Sequence, residues 1–186
     1  RVVEALAARS ARTPEEDVLL AETRIRLNPA EASVVASNLV ASIPREDWDQ
    51  TARVAEALLR LGRSADVLVL TGAGRFLMNR GLFLARYEAL LAQGSPEQAY
   101  RVLLNPDAPL PPPELLLLRV QAADRVGNGT DRDAHLKELL RSAEDNPVRI
   151  RRAAELAERY STRAALEVAE EGWRRLSAQP EDAGGH

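Results

Sequence analysis

Two glycines, Gly72 and Gly74, close the run Ala65 to Phe76, "ADVLVLTGAGRF", and are the first feature of the sequence that could carry chemistry. A buried strand feeding a glycine-rich loop would let backbone N–H groups approach a phosphate closely. Histidine is the next candidate, but only His135 and His186 are present, Cys is absent and no His pair stands at ligand spacing. The donor set of a zinc site is therefore missing. His135, beside Leu136 and three residues from Glu138, reads as an ordinary helix-surface residue. Ser10, Ser33, Ser37 and Ser95 lack a G-x-S-x-G context and any identifiable His partner, so nucleophilic catalysis has no support. Glu15, Glu16 and Asp17 cluster where a helix begins, a place the helix dipole favours for negative charge without any catalytic purpose. These residue types imply no catalytic group, no metal and no cofactor.

The glycine run looks like the first strand and turn of a dinucleotide-binding fold, and "LTGAG" also resembles the opening of sirtuin deacylases. It departs from both. The dinucleotide fingerprint needs its third glycine where Leu77 stands, and a sirtuin-like motif would continue with polar and Gly residues rather than Phe76-Leu77-Met78. No Lys follows to complete a G-x-x-x-x-G-K loop. Flanked by helical patterns, the segment reads instead as a short helix ending at Gly72 to Gly74.

The elements around these residues are marked by their starts. Thr13-Pro14-Glu15-Glu16 places an N-cap hydroxyl, a Pro at the first helical position and a carboxylate three residues after the cap, which is a capping box. Ser95-Pro96-Glu97-Gln98 repeats it, Asn28-Pro29-Ala30-Glu31 uses an Asn cap, Thr130-Asp131-Arg132-Asp133 is a version without Pro, and Asn146-Pro147 opens another segment. The starts at Thr13, Asn28, Thr130 and Asn146 and the Ile43-Pro44 break lie 15 or 16 residues apart within each run. Helices of about three turns are marginal alone and must bury a face against neighbours. The apolar spacing, as in Val54, Leu58 and Leu61, predicts helices over 2–12, 14–27, 30–42, 45–61, 64–71, 75–93, 96–104, 113–127, 131–144, 147–159 and 162–177. "PDAPLPPP" over 106–113 reads as an extended connector, a hinge or a boundary, and the polar, Gly-containing tail 179–186 as disordered.

Set against itself at an offset of 32, the chain aligns Glu56-Ala57-Leu58-Leu59-Arg60-Leu61-Gly62 with Glu88-Ala89-Leu90-Leu91-Ala92-Gln93-Gly94, identical at five of seven positions. A long helix, a Gly turn and a second helix at about 34 residues resembles a tetratricopeptide repeat. In that resemblance Gly94 is the turn glycine, Ala99 the small residue of the second helix, Leu90 the large apolar slot and Pro111 the repeat-ending proline. Gly129 with Ala134, and Tyr160 with Ala165, stand in two further copies. The family's Trp and small positions of the first helix are poorly kept, with Phe83 and Tyr87 there in the best copy. The resemblance implies an all-α fold, a right-handed α-solenoid of stacked antiparallel helix pairs with about ten to eleven short helices, spanning 1–178 and clearest over 47–146.

Composition bounds the partners. Aromatic residues are only 4%, so a core must be built from Leu, Ala and Val, which suits helix-on-helix packing. A net charge of −3 argues against a broad basic surface, and hence against nucleic acid. Lys137 is the sole Lys, a skew that a GC-rich, bacterial coding sequence produces as readily as phosphate recognition does, and the mixed charge pattern favours the compositional cause. No run approaches a membrane span. Arg1 in place of Met is compatible with a processed chain or a piece of a larger one, so bacterial cytoplasm and periplasm both stay open.

If the family geometry holds, first helices line a concave face: Arg53, Glu56 and Arg60, then Leu84, Glu88 and Leu91, then Arg119 with Val120 and Ala123. Such a groove would clamp a peptide or a partner's helix, as a protein-interaction scaffold or adaptor does. The competing reading of the charges is local pairing of Arg53 with Glu56 and Glu56 with Arg60 along one helix. Two alternatives for the whole chain are a structural or regulatory module of a larger protein, such as a transcription-regulator sensor array or secretion-machinery subunit, and a nucleotide-dependent enzyme around Gly72 and Gly74.

Overall fold

The structure, a computed structural model, describes residues 12–43 and 46–178. The helix expected over 2–12 and the tail 179–186 lie outside them, Arg12 excepted. The described residues are all-helical: ten α-helices and two 3-10 turns, with no strand among them. None is long and apolar enough to cross a membrane. The chain divides into two compact units after Pro109, inside the proline-rich connector.

The first unit holds α1 (Pro14–Leu27), α2 (Ala32–Ala41), α3 (Trp48–Arg60), α4 (Ser64–Leu70), α5 (Arg80–Ala92) and α6 (Pro96–Leu103). Thr13 forms the complete capping box: its hydroxyl accepts from Glu16 N–H at 3.2 Å while the Glu16 carboxylate accepts from Thr13 N–H at 3.0 Å. α3 shows why these segments are helical and how they are held. Its Val54, Ala55, Ala57 and Leu58 have no exposed surface, whereas Arg53, Glu56 and Arg60 face outward. Burying one Leu or Val side chain of this kind stabilises by about 1.5–3 kcal/mol. Ala36, Leu39, Val67, Leu70, Leu82 and Ala89 complete this core.

The second unit holds α7 (Pro112–Arg125), α8 (Gly129–Ser142), α9 (Pro147–Ala157) and α10 (Arg163–Ser177). Leu116, Val120, Leu136, Leu140, Ile150, Leu156 and Val168 form its core. α9 and α10 approach closely at Gly172, where a Cβ would stand 2.8 Å from that of Ala154.

Four local expectations are corrected. The expected single helix over 75–93 is broken, because the Asn79 side chain accepts from Gly81 N–H at 2.7 Å and starts α5 there, leaving Arg75–Leu77 as a 3-10 turn. The turn between α7 and α8 is made by Gly127 at φ 70°, not Gly129, which is the first residue of α8. The α8 cap is Asn128 rather than Thr130, since its carbonyl oxygen accepts from Asp131 N–H at 3.1 Å and its amide donates to Asp131 at 2.7 Å. Ser95 occupies the cap position of α6 without a side-chain hydrogen bond.

Candidate interaction surface

Three helices of the first unit present one stripe each. On α1 the stripe is Glu15, Leu19 and Glu22, on α3 it is Arg53, Glu56 and Arg60, and on α5 it is Leu84, Glu88 and Leu91. The spacing of three and four residues puts each set on one helix face. Cross-helix contacts set these stripes side by side. Arg53 donates to Glu15, and Arg60 donates to Glu22 through Nη2 at 2.5 Å and Nε at 3.1 Å. Asn79 donates to Asp49 at 2.7 Å, and Gly81 lies so close to Ala52 that an added Cβ would stand 2.9 Å from it. Without a side chain at Gly81 the first turns of α3 and α5 can touch.

The two arginines therefore pair between helices, 38 residues away in the chain, and not with Glu56 along their own helix. Arg53 and Glu15 are both more than half exposed, so that pair contributes little. Glu22 is 12% exposed, which makes its pairing with Arg60 the better shielded of the two. Glu56 and Glu88 are exposed and have no hydrogen-bond or ion-pair partner among the described residues. With the cations engaged, the charge left available on this face is acidic, flanked by half-buried Leu84 and Leu91.

Arg119 belongs to the second unit, where it is half-buried on α7. Val120 and Ala123, expected beside it on an open face, have no exposed surface and belong to the core. His135 is half-buried rather than on an open helix surface. Burial, then the positive charge of Arg119, hold its pKa below the ordinary 6.5, with Asp131 and Glu138 pulling weakly the other way.

Ala65 to Phe76 has no strand: Ser64–Leu70 is helical, and left-handed Ala73 and Gly74 turn the chain into Arg75–Leu77. The carbonyls at the end of α4 face Arg86, whose Nη1 lies 3.4 Å from the oxygens of Leu68 and Thr71 and whose guanidinium stacks 5.0 Å from the Phe76 ring centre. The positive charge meets the negative end of the helix dipole there. In the second unit Arg175 does the same for α8, donating to the Leu140 carbonyl at 3.1 Å and to that of Glu144. Arg132 is half-buried against the Tyr160 ring, 4.3 Å from its centre, and pairs with Asp133 at 2.8 Å and Asp124 at 3.1 Å. No such interhelical role was visible in the spacing of these arginines. Among the described residues no three His, Asp or Glu side chains are grouped to hold a metal ion.

No family model, curated protein or solved structure matches this chain. The surface has to be read from its own residues.

Proposed function

We propose that the chain is a protein-interaction scaffold or adaptor, a tetratricopeptide-like, right-handed stack of antiparallel helix pairs whose aligned first helices bind a peptide or helical segment of a partner. The observation that carries this reading is one turn repeated three times. Gly62, Gly94 and Gly127, spaced 32 and 33 residues apart, all have φ near 70°. Each is followed by the same return bond: Arg63 N–H to Leu58, Ser95 N–H to Leu90 and Asn128 N–H to Ala123 carbonyl, at 2.8–2.9 Å. This is the Schellman termination, which a left-handed glycine supplies at little steric cost. Equal turns at equal intervals favour repeated helix pairs.

Glu56, Glu88, Leu84 and Leu91 are the residues proposed to meet the partner, with Arg53 and Arg60 holding α1 against α3; Arg119 stands apart, on α7 of the second unit. The binding mode is a helix or extended segment laid against helical ridges, with apolar anchors between charged contacts. A benzophenone photo-crosslinker placed at position 56 or 88 should capture the same partner, and Leu84→Asp should abolish that capture. A crosslinker at exposed Val34 on α2 serves as the control. Capture at 56 and 88 no stronger than at 34 would reject this surface.

A further inference from the structure

The second unit carries a groove of about 490 Å³ where α7, α8 and α9 meet. Leu117, Leu118 and Leu139 give it an apolar floor, and Arg149, Arg152 and Glu114 stand on its rim. The α9 rim has an unusual charge pattern. Arg149, Arg151 and Arg152 are all exposed in the N-terminal half of the helix, and its first turn contains no acidic residue. None of the three side chains has an ion-pair partner among the described residues. The N-terminus of a helix carries partial positive charge, so three cations there raise one another's cost. α1 shows the opposite, stabilising pattern with Glu15, Glu16 and Asp17 in its first turn. These three cations form no ion pair among the described residues, and an incoming carboxylate would supply one beside the leucine floor.

We propose that this groove binds an acidic amphipathic segment of a partner protein. Aliphatic or aromatic side chains of the segment enter the leucine floor, and its carboxylates meet Arg149 and Arg152, where guanidinium groups can make paired hydrogen bonds. Glu114 on the rim disfavours a uniformly acidic ligand, so the carboxylates must fall on the α9 side. The apolar floor selects a protein segment over a nucleic acid, which would offer phosphates without a side chain to bury. This rests on the scaffold reading but uses a surface separate from that of α3 and α5.

The test uses the full chain and a fluorescein-labelled peptide of Leu-Leu-Glu-Glu blocks about three helical turns long, beside a matched peptide with Lys in place of Glu. Anisotropy should show the Glu peptide binding at least about tenfold more tightly than the Lys peptide, weakening as salt rises. The double variant Arg149→Glu/Arg152→Glu should lose that preference while its helical circular dichroism is kept. Because Glu suits a helix N-terminus, this variant should melt no lower than the parent, which separates lost binding from lost folding. Equal binding of the two peptides, or no effect of the double variant, overturns the proposal. Tighter binding of a uridine oligonucleotide overturns it in favour of nucleic acid. A doubled mass in light scattering that the double variant returns to monomer overturns it in favour of a second copy. If the double variant changes nothing while crosslinks at 56 and 88 still capture a partner, this inference fails alone. If those crosslinks fail while the peptide preference holds, only the α3 and α5 surface is lost.

Discussion

At Gly172 the backbones of α9 and α10 are separated by less than a side chain, with Ala154 facing a glycine that has no room for a methyl group. Gly172→Val should therefore force the helices apart and lower stability by about 1–3 kcal/mol, read from the urea midpoint of the second unit's helical signal. An unchanged midpoint would mean that the contact relaxes freely. His135 makes a second residue-scale prediction through its lowered pKa. Between that lowered value and the ordinary 6.5 the unfolded chain binds more protons than the folded one, so stability is lost as pH falls through 6.5 toward the lowered value and is regained above 6.5. His135→Gln should flatten that part of the stability profile, measured by denaturation at a series of pH values. A slope that survives the substitution would assign it to other groups.

At the scale of elements, the two candidate caps of α8 can be told apart. Asn128→Ala should cost about 1 kcal/mol in thermal or chemical denaturation, while Thr130→Ala should cost much less, because Asn128 alone of the two supplies the cap bond to Asp131 N–H. The docking of α1 also makes a prediction. Glu22→Gln should speed hydrogen exchange of α1 amides more than Glu15→Gln does, since Glu22 is the better shielded partner. Equal effects would count against that difference. Helix starts were legible where Pro follows a cap that bonds, as at Thr13 and Asn146, since two independent signals coincide there; Asn28-Pro29 makes no such cap bond and opens a 3-10 turn, with the α-helix starting at Ala32. Asn79 was missed because it caps without Pro inside a run of apolar residues that continues the helical period on both sides. The shift from Thr130 to Asn128 has a similar cause: each is followed three residues on by a carboxylate, Asp133 and Asp131 respectively, and only the left-handed turn at Gly127 decides which of them the chain reaches first.

For the whole molecule, all-helical architecture was legible from short, evenly spaced helical segments without knowledge of any partner. The stripe of Arg53, Glu56 and Arg60 was legible too, as a face of α3. Its electrostatics were not, because the carboxylates that engage Arg53 and Arg60 lie on α1, far along the chain, and local spacing offered Glu56 instead. The same limit hid Arg86, Arg132 and Arg175, whose partners are carbonyls, a ring or carboxylates brought in by folding. Packing partners are mostly the next helix or the next but one in sequence, and the Gly62, Gly94 and Gly127 turns close three of those neighbour contacts within a few residues. Little chain entropy is spent before such contacts form, so refolding after a rapid dilution should be fast, in the microsecond-to-millisecond range typical of locally connected helical proteins. Replacing Gly62, Gly94 or Gly127 with Val should slow that rate if its turn belongs to the folding nucleus, and should mainly hasten unfolding if the turn closes late. The rate that changes at each left-handed glycine therefore reads out the order in which the molecule assembles.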